Sequence, residues 1–585
     1  MKTLEHAAIE LSGMNLIEAS AGTGKTYAIA SLYLRMLVEK ELRPEEILVV
    51  TYTDAATKEL RARIRSRISE ALEVMDGRET EDAFLRVFSE YSRTVGLTRV
   101  KEILERALGD FDTASIYTIH GFCLRALQDN VFESGSLYDT KLITDQTELL
   151  QELLDDFWRM HFFDESATLL SYALQHKASD VFTSLLNGIH TGSGVKVIPE
   201  FSNEDIAALE VECHETGKEI GKMWRERKAA IEELMKSDKG LSRAAEAYPS
   251  ELIEPLFVRM EAYVEGGNPF DLFDGFVKFT KSGITRGTKP KSSVPVHAFF
   301  DLCETLHAAV QQRFLALQAE LVSFFRTNMP LRKQAGNVRF FDDLLEDLYH
   351  ALVSESGGEA LAALLRKKYR AALIDEFQDT DPVQYEIFRT IYTGSDEPLF
   401  LIGDPKQAIY SFRGADIFAY MKAAREAGRE RRFTITENWR STPRLLKAFN
   451  MLFDQKRNPF IYEEIVYHPL KAGGTQTCQP AEEPAMAPLQ LLFMDSHDEK
   501  NGMLTVDKAG ILASSAVANE IDRLLNESKK PETGTLLIGS RQITAGDIAV
   551  IVRTHRQAGM VLHALRTRGI AGVMRSDMSI FASTE

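Results

Sequence analysis

The stretch Leu16-Ile17-Glu18-Ala19-Ser20-Ala21-Gly22-Thr23-Gly24-Lys25-Thr26 constrains the fold more than any other part of this chain. It reads as a short apolar strand, a glycine-bearing turn and a Lys-Thr pair opening a helix-compatible run from Tyr27 to Glu39. A strand that passes through such a turn into a helix presents a row of backbone N–H groups with no helical partner, a geometry suited to phosphate oxygens. Gly22 and Gly24 let the backbone approach closely, Lys25 supplies charge and the Thr26 hydroxyl is placed for Mg²⁺. The first glycine of the common G-x-x-x-x-G-K-[ST] pattern is Ala19 here, so Ala19, Ser20, Ala21, Gly22, Thr23, Gly24, Lys25 and Thr26 form the expected ATP cradle.

A second block, Asp375-Glu376-Phe377-Gln378-Asp379-Thr380, follows the apolar run Ala371–Ile374, 350 positions after Lys25. In open α/β sheets ligands bind at the carboxyl ends of the strands. There Asp375 is expected to hold Mg²⁺ opposite Thr26, and Glu376 to orient and deprotonate an attacking water. For Lys25 and Asp375 to meet, the intervening chain must leave the sheet and return. The long amphipathic patterns between residues 145 and 339 (149–163, 203–235, 297–327) predict a mainly helical insertion. Irregular patches are expected at 191–199 and 281–294.

Other expected strands are Glu46–Thr51, Ala114–Thr118, Pro398–Asp404, Arg432–Thr436 and Asp547–Arg553, the last leading into a helix over His555–Arg568. A looser stretch runs from Tyr467 to Pro488. The fold expected is thus α/β: a phosphate-loop parallel-sheet domain over 1–144 and 340–430, the helical insertion over 145–339, and the beginning of a second α/β domain over 431–585. The chain is expected to stop inside that last unit, as a fragment of a longer protein.

Past the strand Pro398–Asp404, Gln407 is placed for a γ-phosphate or the attacking water, and Tyr410 and Phe412 offer flat faces beside Arg413. Such faces stack nucleic-acid bases without regard to sequence, although an arbitrary Tyr-x-Phe is as readily core. In Glu437-Asn438-Trp439-Arg440-Ser441-Thr442, Arg440 is a candidate arginine finger and Trp439 a candidate adenine platform. A net charge of −17 argues against a protein that coats nucleic acid by bulk charge. It leaves room for a basic groove, for which the run Lys58–Arg67 is a candidate, although a solvated helix face is the plainer reading. Four scattered cysteines (Cys123, Cys213, Cys303, Cys478) without metal spacing, and no signal-like or 18-residue apolar stretch, point to a reducing, cytoplasmic setting without a membrane anchor.

The blocks LIEASAGTGKT (16–26), LVVTYTDAATKELR (48–61), IYTIHGFC (116–123), LIDEFQDTD (373–381) and IGDPKQAIYSFRG (402–414), in this order, resemble the UvrD-like group of superfamily 1 DNA helicases. The resemblance implies ATP-driven 3′→5′ translocation on single-stranded DNA by two RecA-like domains. It implies Mg²⁺ as cofactor, and single-stranded and duplex-end DNA with the other subunits of a repair helicase–nuclease as partners. By match to the family's blocks, Thr51, Tyr52, Thr53, Thr118, His120, Tyr410, Phe412 and Arg413 fall on DNA-contacting positions. Gln407, Trp439 and Arg440 fall on nucleotide-contacting ones. The family's adenine-reading glutamine is missing, since no Gln precedes Lys25, which leaves adenine to Trp439. The family's later helicase blocks and a nuclease are not in these 585 residues. The rival readings are a solo UvrD-type or AddA-type helicase and, outside the enzymes, a nucleotide-gated DNA-binding module or subunit scaffold.

Overall fold

Seven short strands build the sheet that positions the site. They are β1 (Lys2–Thr3), β2 (Met14–Ala19), β3 (Ile47–Thr51), β4 (Ile116–Thr118), β5 (Ala371–Ile374), β6 (Leu399–Gly403) and β7 (Arg432–Ile435). The structure, a computed structural model, describes residues 1–131, 141–143, 145–163, 169–188, 196–244, 246–355, 357–411, 414–456, 458–473, 487–495, 504–527, 537–538 and 541–574. It divides into two compact units, Met1–Thr118 with Arg366–Glu585, and Ile119–Leu365.

In the first unit the strand order is β1-β7-β2-β6-β5-β3-β4, parallel throughout. Strands β5 and β6, which follow the second unit in sequence, enter the middle of the sheet between β3 and β2. β2, β3, β5 and β6 are almost wholly buried, which explains their continuous apolar runs without alternation. Helix α1 (Lys25–Glu39) is buried along its whole length from Ala28 to Val38. Its one buried cation, Arg35, pairs with Glu39 and donates to the carbonyls of His6 (3.0 Å) and Ile9 (2.7 Å). Helix α2 (Asp54–Met75) is capped by the Thr53 hydroxyl, which accepts from Ala56 N–H at 3.1 Å.

The predicted strand over 432–436 lies inside this sheet, between β1 and β2, past residue 430 at which the sequence reading ends the first domain. The predicted strand Asp547–Arg553 is not one. Ala545–Asp547 forms a 3₁₀ turn, no described strand pairs with Ile548–Val552, and Ile551 is 94% exposed. A β-branched run expresses only a preference for extended backbone; a strand also needs a neighbour to take its N–H and C=O groups. The helix that follows runs over His555–Arg566 and packs Val561 and Leu565 against Ala518 and Ile521 of Val506–Glu527.

The second unit is mainly helical, with its own core. The helix Asn203–Ser237 starts at a capping box, in which Ser202 Oγ accepts from Asp205 N–H and the Asp205 carboxylate accepts from Ser202 N–H. It packs along the 38-residue helix Ala298–Ala335. Trp224 is buried against Phe299 at 5.4 Å between ring centroids, and its indole N–H donates to Glu261 at 2.9 Å. The expected irregular patch 281–294 contains a short helix, Lys281–Arg286. Most of the patch at 191–199 and of the stretch 467–488 lies outside the described residues. No described helix is long and apolar enough to cross a membrane. Cys123, Cys213 and Cys303 are free and buried; Cys478 lies outside the described residues.

Candidate active site

At the carboxyl end of β2 the chain turns through Ser20–Gly24. The Ser20 carbonyl accepts from both the backbone N–H (3.1 Å) and the hydroxyl (2.7 Å) of Thr23. Gly22 and Gly24 take φ of 77° and 92°, a region open to glycine at little cost. Helix α1 then begins at Lys25, with Thr26 in its first turn, no side-chain cap and no acidic residue there, so its N-terminal N–H groups are left for an anion.

Lys25 reaches across to the end of β5, where its ammonium is ion-paired with Glu376. Asp375 is fixed as the last residue of that strand path by donating its N–H to Val50 O of β3 (2.8 Å). Its Oδ1 is buried without a hydrogen-bond partner. Burial, then the neighbouring Glu376 charge, push its carboxyl up to about 7, against the pull of Lys25. Asp379 repeats this more mildly: burial and Glu376 raise it to about 6, and its Oδ1 too is orphaned. Three carboxylates thus face one ammonium. The donor set fits a hard divalent cation, whose oxygen ligands would include Asp375, with Thr26 at the mouth of α1. Among the described residues no group of three or more metal-ligating side chains occurs. Mg²⁺ suits such a site, because it is commonly held by one or two carboxylates together with substrate phosphates and water.

The turn after β6 completes this face. Gln407 donates to Asp404 Oδ2 at 2.7 Å, while Lys406 pairs with Asp404 Oδ1 (2.7 Å) and with Glu18 of β2. These three charges are almost fully buried, which only mutual pairing permits. On the other side of the phosphate turn lies the loop carrying Trp439 and Arg440. Buried Asn438 donates its amide to Ala21 O (2.6 Å), Trp439 N–H donates to Gly22 O (2.8 Å), and Asn438 Oδ1 accepts from the N–H groups of Arg440 (3.0 Å) and Ser441 (2.8 Å). A Cβ on Gly22 would stand 2.6 Å from Arg440 Cβ, and one on Gly473 2.4 Å from the Trp439 indole. Glycine at both positions is therefore required by close approach.

The residues expected to contact DNA are placed as follows. Tyr52 and Tyr410 stack with centroids 5.5 Å apart and planes 23° from parallel. Thr51 and Thr118 are register partners at the ends of β3 and β4, and the buried Thr51 hydroxyl has no partner. Thr53 serves as a helix cap. In the second unit His120 lies edge-on to Phe341, 5.6 Å between centroids, with Asp342 3.8 Å from its Nε2. Phe412 and Arg413 lie outside the described residues. Part of the basic run on α2 is structural: Arg61 donates to Ala114 O (3.1 Å) and Arg67 pairs with Asp82 (2.7 Å).

Sequence reasoning missed Asn438, Gln378 and the Glu18–Lys406 pair. Asn438 and Gln378 sat inside blocks already singled out, as polar residues flanked by candidate catalytic ones; no local signal marked Glu18 and Lys406 as partners.

Residues 1–428 match the UvrD/REP helicase N-terminal domain. The chain is similar to the RecBCD enzyme subunit RecB of Escherichia coli K12, 34% identical over 100% of this chain and 50% of that protein. It is likewise similar to the RecB subunits of Haemophilus influenzae (31%, over 98% of this chain and 50% of that protein) and Buchnera aphidicola from Acyrthosiphon pisum (29%, 99% and 49%). The chain spans about half the length of the curated relatives it matches. With a parallel sheet carrying the phosphate turn, and a match over 1–428, the chain belongs to the UvrD/REP helicase family.

Proposed function

We propose that the chain is the ATP-binding motor portion of a RecB-type subunit, translocating 3′→5′ on single-stranded DNA within a RecBCD-type helicase–nuclease that acts on duplex ends in double-strand break repair. RecC-like and RecD-like subunits are the proposed partners. The observation that carries this reading is the meeting of Lys25 with Glu376 beside the orphaned Asp375 oxygen. In this reading residues 1–144 with 340–430 form the first motor domain, whose sheet also takes in β7 (Arg432–Ile435), 145–339 form the helical insertion, and the part of 431–585 that follows β7 is the start of the second.

The chemistry asks for positioning and charge stabilisation. Lys25 exchanges its pairing with Glu376 for the β- and γ-phosphate oxygens, and the backbone N–H groups of the Ser20–Thr26 turn take the remaining oxygens. Asp375 and Thr26 would hold Mg²⁺, which would supply further charge neutralisation when bound. Released from Lys25, Glu376 accepts a proton from the attacking water as its oxygen bonds to the γ-phosphorus and the bond from that phosphorus to the bridging oxygen breaks, leaving ADP and phosphate. Gln407 reads the γ-phosphate, Arg440 stabilises the charge that develops on it, and Trp439 offers its half-exposed indole to adenine. Tyr52 and Tyr410 present the face on which bases stack, beside Thr51, Thr53 and Thr118; His120, Phe412 and Arg413 are proposed as DNA contacts on their match to the family's blocks alone.

The test is titration of a fluorescent ATP analogue with Mg²⁺ into the parent chain and Lys25→Ala. Loss of affinity by at least tenfold in the variant is the expected result. Equal binding by both, or none by either, would overturn the reading. A nucleotide-gated clamp without turnover is separated by Glu376→Gln: a motor loses ATP cleavage, whereas a clamp keeps its full nucleotide-dependent affinity for single-stranded DNA and shows no cleavage in the parent.

A further inference from the structure

Gln378 is a buried side chain to which the proposed reaction has so far given no role. Its amide joins two parts of the site. Nε2 donates to Glu376 Oε2 at 2.8 Å and lies 3.2 Å from Asp379 Oδ2, while Oε1 accepts from the backbone N–H of Asp404 at 2.9 Å. Asp404 in turn accepts from Gln407. The orientation of the amide is dictated by its neighbours: an ionised carboxylate can only accept and a backbone N–H can only donate. Among side chains of that length glutamine satisfies both ends at once in its ordinary state; glutamate does so only when protonated.

The surroundings keep the amide in place. Gly403, the last residue of β6, has no side chain, and a Cβ there would lie 2.6 Å from Gln378 Oε1, 3.0 Å from Gln378 N and 3.1 Å from Phe377 N. The missing methyl is what lets the β6 end and the Phe377–Asp379 turn approach so closely. Glu376 itself stands at φ 50°, ψ 40°, a left-handed conformation that a residue with a Cβ adopts only when its surroundings hold it there. Among the described residues, the side chains that donate to the Glu376 carboxylate are those of Lys25 and Gln378. Once a triphosphate draws Lys25 away, Gln378 is the one that remains.

We propose that Gln378 is a positioning residue: it orients the Glu376 carboxylate toward the attacking water and ties that orientation, through Asp404, to Gln407. This rests on the reading of Glu376 as the base. The amide takes no proton and touches no substrate atom; it acts by holding Glu376.

The experiment is single-turnover cleavage of γ-labelled ATP with protein in excess, a format that resolves slow cleavage, alongside nucleotide affinity. The chains are the parent, Lys25→Ala, Gln378→Leu, Gln378→Glu, Gln407→Leu and the double variant Gln378→Leu/Gln407→Leu. The expected result is cleavage at least tenfold slower in both Gln378 variants, with nucleotide affinity within twofold of the parent. Gln378→Glu keeps the acceptor for Asp404 N–H, so it guards against simple misfolding. Its neutral acid can donate, so its rate relative to the parent should recover as pH falls, which a merely structural role would not produce. The double variant should be little slower than the slower single one, as expected of residues acting through one connection. The assignment is overturned if both Gln378 variants cleave within threefold of the parent, or lose affinity as much as rate. A parent without Lys25-dependent cleavage would overturn the function reading itself, and with it this role, since there would be no base to hold.

Discussion

Glu376 shows at a single residue how the site stores constraint. Holding an L-residue in the left-handed region costs roughly 1–3 kcal/mol, and here the ion pair with Lys25 and the amide of Gln378 offset it. His6 makes a measurable prediction of its own. It lies edge-on to Tyr27, the residue after Thr26, at 5.3 Å between centroids, and its Nε2 is buried without a partner. Burial, then the Arg67 charge, hold it down at about 4, against the opposing pull of Asp82. Between that value and the ordinary 6.5 the folded chain binds fewer protons than the unfolded one, so stability rises with pH across the window and is lost as pH falls through it. From pH 7.5 to 5 this one group should cost about 2 kcal/mol. Urea unfolding of the parent and His6→Phe at the two pH values measures it: the variant should lose about that much less, and an equal loss in both would refute the assignment. The placing of Lys25, Asp375, Glu376 and Gln407 at the ends of parallel strands was readable in the sequence because each follows an apolar run that marks its strand. His6 was not, because its low value comes from Arg67 and from burial, neither of which a local window contains.

At the scale of elements, the site is made where loops from distant strands touch the phosphate turn. The loop after β7 is the clearest case. Its two-residue parallel pairing, Glu437–Asn438 with Lys471–Ala472, is too short to hold it. Asn438 fixes it instead, through one donated bond to the turn and two accepted ones within the loop. Asn438→Ala leaves Ala21 O and two backbone N–H groups short of partners, each costing about 1–3 kcal/mol where buried. The expected outcome is nucleotide affinity lowered at least fivefold, because Trp439 and Arg440 no longer stand beside Gly22. The measurement is the same fluorescent titration, with Asn438→Asp, which keeps the acceptor and loses the donor, falling between the two. Affinity unchanged in both variants would show that the loop is held by something else. Strands β2, β3, β5 and β6 were legible as continuous buried runs, and so was the need for an excursion between β4 and β5. Ile548–Val552 was misread for a physical reason: its sequence states a preference for extended backbone, and pairing depends on a neighbour elsewhere in the chain. Glu18 and Lys406, 388 positions apart, look like ordinary surface charges until the sheet sets β2 beside β6.

For the whole molecule, the two compact units have separate hydrophobic cores, one around α1 and the sheet, the other around Trp224, Phe257, Phe279 and Phe299. Units with their own cores tend to unfold as units. Every residue proposed to touch ATP belongs to the first of them. A ligand that binds only the native state raises stability by RT ln(1 + [L]/Kd), about 2.7 kcal/mol at a hundredfold excess over Kd. Scanning calorimetry of the chain should therefore resolve two transitions, and saturating ATP analogue with Mg²⁺ should raise one of them by several degrees while leaving the other in place. In Lys25→Ala, whose affinity is at least tenfold lower, the same ligand concentration should raise that transition by about half as much or less. A tryptophan report assigns them: Trp158 and Trp224 lie in the second unit and Trp439 in the first, so Trp439→Phe leaves the fluorescence change to the second unit. That change should follow the transition the ligand leaves alone. If it instead follows the shifted transition, the nucleotide binds the second unit and the site is misplaced; if one transition carries the whole molecule, the two cores unfold as one and nucleotide binding is felt by all of it.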